Sequence, residues 1–291
     1  MKATFVATIA LLLPSVVGLA SNPMSISEEL DVEYSYVGGA KTRGPGLNSS
    51  SVEEHSADVK YVVSPQVNKD LLLRFGFEWQ RFSFDVPGQS AVPSVLQQAS
   101  AVLGFDYQMA DEWLLRAEVE PGIYSDFRDI SWRDFDAPLV LGTAYLASAN
   151  LQWFFGLRVD ARSHYPVLPA VGVRWKFADQ WTLNLMPPNP RLEYEVNQRL
   201  RLYLGGGLEV GTFATGEDFG SKHGQPRLDG TIVDFLEVRL NTGCSWKIAP
   251  GVTIEAEAGY MPYRLFEFSE PDVFFRSHNA PYGQIACHAR F

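Results

Sequence analysis

The chain has 291 residues, 46% hydrophobic, 13% aromatic and 20% charged, and its 34 acidic and 24 basic side chains give a formal net charge of −10. This composition is too apolar for a disordered chain, and the acidic balance excludes the basic surface that nucleic acid requires. Beyond the extreme N-terminus no uncharged apolar run approaches the roughly 18 residues of a membrane-spanning helix, which excludes a helical membrane bundle.

Residues 1–20 have the pattern of an export signal. Lys2 supplies a short basic region, residues 5–17 form an apolar stretch, and Gly18-Leu19-Ala20 gives the small-x-small pattern that precedes a cleavage point. A buried or anchoring first helix is disfavoured because the apolar run is too short. We therefore expect a signal peptide at residues 1–20 and a single exported, acidic domain at residues 21–291.

From Leu30 onward, nearly every segment alternates apolar with polar or small residues over about 8 to 14 positions, which is the period-two pattern of a strand with two different faces. In residues 200–210, for example, Leu202 and Leu204 share one face while Arg201 and Tyr203 share the other. Helical periodicity is almost absent. The sequence therefore predicts an all-β fold.

Short polar turns alternate with longer connections along this pattern. The turns are predicted at residues 68–70, 110–112, 148–150, 178–180, 197–199 and 249–251. The other connections are predicted at residues 40–52, 84–93, 125–137, 164–169, 187–190, 214–228 and 266–279. These links imply about 14 strands, with 12 as the alternative, and an even count puts both termini at the same end of a barrel.

Such strands fit either a soluble sandwich or small barrel, with its apolar face inward, or a membrane barrel, with its apolar face toward lipid. The last strand, residues 282–291, is amphipathic and ends in Phe291. Aromatic residues also cluster near the predicted short turns, as expected for an interfacial girdle: Trp113, Trp153, Trp175, Trp181, Trp246 and Phe291. We therefore predict a transmembrane antiparallel up-and-down β-barrel in the bacterial outer membrane, with short periplasmic turns and longer extracellular loops.

Residues 160–175 (DARSHYPVLPAVGVRW) and the following block 181–210 resemble an uncharacterised family of bacterial outer-membrane barrels, known mainly from planctomycete and verrucomicrobial lineages. The resemblance extends over nearly the whole mature chain. It implies the barrel fold and the outer-membrane location, but it brings no established activity or functional residues. The terminal Phe291 resembles the signal read by bacterial barrel-assembly machinery, which together with membrane lipids is an expected partner.

The polar face of the predicted strands carries charges of both signs. The candidates for lining the lumen are Arg158, Asp160, Arg162, Arg174, Glu237, Arg239, Glu255 and Glu257. Basic residues on one wall facing acidic residues on the other would produce a transverse field in a water-filled pore for small hydrophilic solutes. The alternative is an interior of neighbouring salt bridges, closed to solutes, in a barrel with a structural or adhesive role.

An outer-membrane lipid hydrolase or acyltransferase is a weaker hypothesis. Ser163 and His164 are adjacent on a predicted strand and would point to opposite faces. Ser221 and His223 lie in a long loop with no carboxylate in evident register to orient a base. We therefore expect no catalytic residues, no cofactor and no metal.

Cys244 and Cys287 lie on predicted strands that have one strand between them. Two strand spacings are about 9.5 Å, more than the roughly 7 Å that a disulfide allows between Cα atoms. Both residues are therefore predicted to be free thiols.

Overall fold

The computed structural model describes residues 25–86 and 90–291, so the predicted signal peptide at residues 1–20 lies outside the described residues. Seventeen strand segments form one sheet in which the pairing of neighbours is antiparallel. The segments are β1 (Ile26–Gly44), β2 (Leu47–Asn68), β3 (Leu71–Asp85), β4 (Val95–Ala110), β5 (Trp113–Val119), β6 (Gly122–Ser125), β7 (Phe135–Asp136), β8 (Leu139–Ser148), β9 (Leu151–Val159), β10 (Val167–Lys176), β11 (Trp181–Asn184), β12 (Arg191–Glu195), β13 (Leu200–Ala214), β14 (Ile232–Ala249), β15 (Val252–Phe268), β16 (Val273–His278) and β17 (Ala280–Arg290).

Some segments follow one another along a single barrel strand. β5 and β6 both pair with β4, and β16 and β17 both pair with β15 and β1. Pro121 separates β5 from β6, and Pro138 separates β7 from β8, because proline has no N–H to donate to a ladder. Asn279, whose φ is 65°, separates β16 from β17. Pairing of β1 with β17 closes the ring, and the predicted closed antiparallel barrel of 14 strands is confirmed.

Alternation decides which face each residue occupies. On β13, Leu202 and Leu204 are exposed on the outer surface while Tyr203 between them is buried inside. The short turns connect consecutive strands at one end of the barrel, called here the short-turn end, and the longer connections meet at the opposite long-loop end. The aromatic residues Trp113, Trp153, Trp175, Trp181, Trp246 and Phe291 are all exposed, next to the short turns.

The first long connection differs from the prediction. Residues 40–52 are mostly strand, because β1 and β2 extend to a tight turn at Pro45 and Gly46. Gly46 has a φ of 77°, which only glycine adopts readily. The Gly38-Gly39 pair, which suggests a loop, instead lies at a register shift between Val37 and Ala40, where a bulge lets the ladder continue.

The remaining connections at the long-loop end contain little helix. A single helical turn, α1 (Phe219–Lys222), and a 3-10 turn at Pro226–Leu228 lie between β13 and β14. A second 3-10 turn, Trp132–Asp134, lies between β6 and β7. Within the described ranges, no helix is long and apolar enough to cross a membrane.

The two cysteines lie where the strand count puts them. Cys244 on β14 is opposite Ala256 of β15, and Cys287 on β17 is opposite Ile254 of the same strand. β15 therefore separates them, and both are free, as predicted.

Candidate functional site: the barrel lumen

Most of the predicted lumen candidates lie on the inner face of the barrel. Arg158 is opposite the inward Leu168, Arg174 lies on the same face of β10, and Arg239 and Glu237 are buried on β14. Glu255 and Glu257 lie on the inner face of β15, where Glu257 accepts a hydrogen bond from Tyr203 Oη at 3.0 Å.

Arg162 does not line the lumen, which corrects the prediction. β9 ends at Val159, and Asp160 begins a turn in which its Oδ1 accepts hydrogen bonds from the backbone N–H groups of Arg162 and Ser163. This Asx turn takes the chain off the strand, so strand alternation no longer applies. The Arg162 guanidinium donates to the Phe135 carbonyl of β7 at 3.1 Å.

The predicted opposition of a basic and an acidic wall is replaced by local pairing. Arg158 lies 3.6 Å from Asp160, and Arg174 lies 3.9 Å from Glu193. Glu255 pairs with Arg191 at 3.0 Å, on its own side of the barrel. The distances therefore support the alternative of neighbouring salt bridges, which leaves little field across the lumen.

A dense ionic network covers the wall formed by β2 to β5. Lys60 Nζ contacts Glu78 at 2.7 Å, and Glu118 and Glu120 at 3.0 Å each. Arg74 Nε donates to Glu118 at 3.0 Å, which connects this group to Asp106 and its partner Arg116. These pairs lie in a polar lumen where several partners compensate each charge.

The lumen is more accessible on the opposite side, toward the short-turn end. The side chains of Arg174 and Arg201 are 45% and 42% exposed although they point inward. Higher up, Glu33, Asp58 and Glu209 line a cavity of about 10 Å³, which has room for roughly one water molecule. Within the described part of the chain, neither Glu33 nor Asp58 has a salt bridge to a basic residue, so these two carboxyl groups lack a direct basic partner at this level of the lumen.

Above that level, four buried side chains form an ion quartet: Glu54, Glu237, Arg239 and Arg264. Arg264 reaches Glu54 at 2.5 Å and Glu237 at 2.6 Å, and Arg239 reaches Glu237 at 2.6 Å. None of the four side chains is more than 3% exposed. The quartet is neutral overall and separates the accessible part of the lumen from the long-loop end.

An apolar stopper fills the barrel directly beyond the ion quartet. Its buried residues come from strands and loops together: Val52, Phe82, Phe84, Ala91, Val92, Leu96, Tyr124, Phe213, Phe219, Leu228, Val233, Phe235, Phe266, Phe268, Val273 and Phe275. Ring centroids of Phe82 and Phe235 are 4.8 Å apart, and those of Phe84 and Phe266 are 5.0 Å apart. The Arg264 guanidinium lies 5.4 Å from the Phe84 centroid, so the two layers are in contact.

The connection between β13 and β14 supplies Phe219 and Leu228 to the stopper, and hydrogen bonds hold its shape. Asp229 accepts from the Ser221 hydroxyl at 2.5 Å and from the Ser221 backbone N–H at 2.7 Å. These bonds from Ser221 hold the pKa of Asp229 below its ordinary value of 3.8. The ionised carboxylate thus fastens α1 to the following 3-10 turn.

The serine and histidine pairs weighed as catalytic candidates have other roles. Ser163 and His164 lie in the turn after β9 rather than on a strand, and the His164 backbone N–H donates to Asp234 at 2.9 Å. Ser221 contacts Asp229, but His223 Nδ1 lies 2.6 Å from the Phe219 carbonyl oxygen. Across the described residues, no group of three or more His, Cys, Asp or Glu side chains could hold a metal ion.

Sequence reasoning missed Glu54, Arg264 and the apolar stopper. The signal for the stopper was nevertheless present, because Phe82 and Phe84, like Phe266 and Phe268, are spaced two apart. Continued strand alternation puts Phe82 and Phe84 on the same inner face as Glu78, whereas Phe266 and Phe268 reach the inner face only because the register of β15 shifts opposite Val238 and Leu240. Their position above a polar lumen becomes visible only once the strands close into a ring.

A family model described as "Domain of unknown function (DUF6268)" matches residues 66–288. No curated protein sequence matches the chain significantly. Among solved structures, the chain is 11% identical to an outer membrane channel from Pseudomonas putida F1, with 93% of this chain and 97% of that chain covered and a TM-score of 0.49. The NanC porin is 11% identical, with 89% and 98% covered and a TM-score of 0.41. The Pseudomonas putida toluene transporter TodX is 10% identical, with 91% and 89% covered and a TM-score of 0.41.

Proposed function

We propose that this chain, which belongs to the family described as "Domain of unknown function (DUF6268)", is a gated outer-membrane channel for small hydrophilic solutes, closed at rest by its apolar stopper. The observation that carries the proposal is that the lumen is closed at one end only. The apolar stopper fills the long-loop end, whereas charged side chains toward the short-turn end remain accessible to water. A barrel closed along its whole length would have no use for water-accessible charged side chains inside it.

The outer surface supports a membrane location. Large apolar side chains are exposed all around the barrel, including Phe75, Phe77, Leu204 and Ile285, a distribution that would aggregate in water but matches an apolar band facing lipid. The exposed tryptophans next to the short turns match an interfacial girdle. With its short turns in the periplasm, as in outer-membrane barrels generally, the barrel has its stopper at the extracellular end.

The composition of the stopper supports gating. Ala91 and Val92 come from the β3–β4 connection, and Phe219 and Leu228 come from the β13–β14 connection. Loops open locally at a lower free energy than core strands, whose hydrogen-bond ladder opens only when the whole protein unfolds. The loop-borne part of the stopper can therefore withdraw while the barrel wall stays intact.

The second candidate is a non-conducting structural barrel, and the buried ion quartet favours it. Salt bridges among four buried side chains tie β2 to β14 and β15 across the lumen, and a purely structural barrel would use such a crosslink to hold its walls together. The two functions predict different behaviour when the stopper is displaced, because only a channel then conducts ions.

The test is the conductance of refolded protein in planar lipid bilayers. Leu228→Asp puts a carboxylate into the fully buried stopper position, and because an isolated buried charge is costly, the loop is expelled. The matched control is Arg227→Asp, at the neighbouring exposed position. We expect rare openings in the wild type and in Arg227→Asp, and frequent openings in Leu228→Asp.

An unheated-versus-heated gel shift establishes that each variant forms a barrel. If Leu228→Asp forms a barrel but stays silent across salt concentration and voltage, the channel proposal is wrong and the structural barrel stands. Equal conductance in Leu228→Asp and Arg227→Asp would show that the stopper is not the gate.

A further inference from the structure

The barrel wall is interrupted between β10 and β13. β11 pairs with β10 at residues 174–176, and β12 pairs with β13 at residues 201–205. One further backbone bond follows on each side, from Leu185 N–H to the Val173 carbonyl and from Gly206 N–H to the Pro190 carbonyl. Toward the long-loop end, within the described residues, β10 continues from Gly172 to Val167 in a ladder with β9 alone, and β13 continues to Ala214 in a ladder with β14 alone. A gap in strand pairing therefore opens above the β11–β12 hairpin.

Prolines set the height of this gap. Pro187, Pro188 and Pro190 occupy the tip of the β11–β12 hairpin, and since proline has no N–H to donate, the hairpin cannot extend upward. Met186 instead packs against Phe154 and Ala170 on the inner face of the neighbouring strands. The prolines at its tip therefore limit the length of the β11–β12 hairpin.

The gap lies at membrane depth. With a rise of about 3.3 Å per residue and a strand tilt of about 40°, Val167 lies roughly 20 Å above the girdle residue Trp175, inside an apolar band about 25 Å tall. An interrupted ladder within the hydrocarbon region is tolerated only where protein covers it or where it lines a cavity. A barrel with a purely structural role would gain stability by completing the ladder.

A cavity occupies the gap. Arg158, Asp160 and Leu168 line one side, and Val210, Gly211 and Phe235 line the other. Its volume is about 20 Å³, which has room for a water molecule but not for an organic ligand. Leu168, Val210 and Phe235 supply apolar lining, and the Arg158–Asp160 pair and Asp234 supply polar groups.

Residues 160–166 cover the gap from above. This turn crosses from β9 to β14, where the His164 backbone N–H donates to Asp234 at 2.9 Å. Asp234 also accepts from the Thr212 hydroxyl at 2.8 Å, which anchors the contact on β13. Ser163 and Tyr165 of this turn also line the cavity, so the turn closes the cavity on this side.

We propose that this gap is a binding site for a small apolar molecule with one neutral polar group, which enters from the outer leaflet when residues 160–166 lift. The outer rim is apolar and exposed, with Val167 and Val171 facing the lipid. Arg158 and Asp160 already compensate each other, and Asp234 already accepts from the Thr212 hydroxyl and the His164 backbone N–H, so the site favours a hydroxyl without charge. The inference rests on the proposed membrane location and not on conduction through the lumen.

The test uses 1-naphthol as the probe, in equilibrium dialysis with the refolded barrel held in amphipol. Val210→Phe fills the cavity, whereas Leu204→Phe adds the same ring lower on the same strand, on its exposed outer face. We expect saturable binding at one site per chain in the wild type, binding at least about tenfold weaker in Val210→Phe because the site is overpacked, and unchanged binding in Leu204→Phe.

A second variant tests the cover. His164→Cys with Asp234→Cys is made in a chain that also carries Cys244→Ala and Cys287→Ala, so that only the engineered pair can oxidise. Oxidation is expected to abolish naphthol binding, and reduction of the same sample restores it. Each variant is first shown by gel shift to form a barrel.

Several outcomes would overturn the site: no saturable binding to a folded wild-type barrel, equal weakening by Val210→Phe and Leu204→Phe, or binding unaffected by oxidation. Conductance of Leu228→Asp is measured separately. If the protein binds naphthol but Leu228→Asp does not conduct, the wall site is supported and the channel proposal is wrong. If Leu228→Asp conducts but the protein does not bind naphthol, only the wall-site proposal is wrong.

Discussion

Arg264 and Glu237 form an ion pair in which both side chains are completely buried, with the guanidinium Nε 2.6 Å from Glu237 Oε2. Glu237 also pairs with Arg239, and Arg264 with Glu54. Each of the four side chains therefore depends on the others for compensation of its charge. The pair marks the level at which a polar lumen gives way to an apolar stopper.

Glu237→Gln is expected to destabilise the barrel by about 3–5 kcal/mol, because it leaves buried guanidinium charge without its counter-ion. The measurement is the midpoint of urea unfolding of the refolded protein, monitored by tryptophan fluorescence. Glu195→Gln serves as the control, since Glu195 is 41% exposed and lies 3.9 Å from Lys176, and such a pair contributes at most about 1 kcal/mol. Equal midpoints for the two variants would contradict a structural role for the quartet.

The open channel is expected to prefer cations. Glu33 and Asp58 line the narrow cavity below the quartet, and once opening hydrates this level, ionised carboxylates in a constriction attract cations. In the Leu228→Asp background, adding Glu33→Gln and Asp58→Asn should move the reversal potential in a salt gradient toward zero. Glu195→Gln, nearer the short-turn end, should leave the reversal potential unchanged, and an equal shift from it would argue against this cavity as the selectivity level.

Acid is expected to loosen the stopper through Asp229. Hydrogen bonds from Ser221 hold the pKa of Asp229 below its ordinary value of 3.8. A group with a lowered pKa contributes stability above its unfolded value, and that contribution is lost as the pH falls through the folded value. The open probability should therefore stay flat from pH 8 to 5 and rise only below about pH 4.

Asp229→Asn should raise the open probability already at pH 7, because the amide cannot accept both Ser221 donors as a carboxylate does. Asp218→Asn is the matched control in the same loop, where Asp218 pairs with Lys222 on the surface at 2.7 Å. If openings of the wild type increase between pH 7 and 5, a different group controls the acid response.

Phe291 is expected to matter for assembly and not for stability. Its side chain is 70% exposed, while its backbone N–H donates to Glu28 in the closing pair of strands. Phe291→Ser keeps that backbone bond. It should reduce the amount of heat-modifiable barrel in cells several-fold while leaving refolding from urea unchanged. Loss of refolding in vitro would assign Phe291 a structural role instead of recognition by assembly machinery.

The barrel itself could be predicted from the sequence because strand alternation is a local property. Leu202, Tyr203 and Leu204 show their two faces without reference to any other strand, and the short polar turns separate the strands one by one. The free state of Cys244 and Cys287 could be derived from the same count. Strand alternation gave the wrong position for Arg162. It predicted that the strand continues past Asp160, but a hydrogen-bonded turn that starts at Asp160 ends the strand there.

The closure of the lumen was decided only by the tertiary structure. The Arg264 partners Glu54 and Glu237 come from strands far apart in the chain, and no periodicity indicates which inward charges meet. Phe219 and Leu228 enter the stopper because a loop folds back into the barrel, and loop paths depend on long-range packing. The sequence by itself determined two-faced strands and their number, whereas pairing across the lumen and the gap beside β10 depend on how the closed ring brings distant residues together.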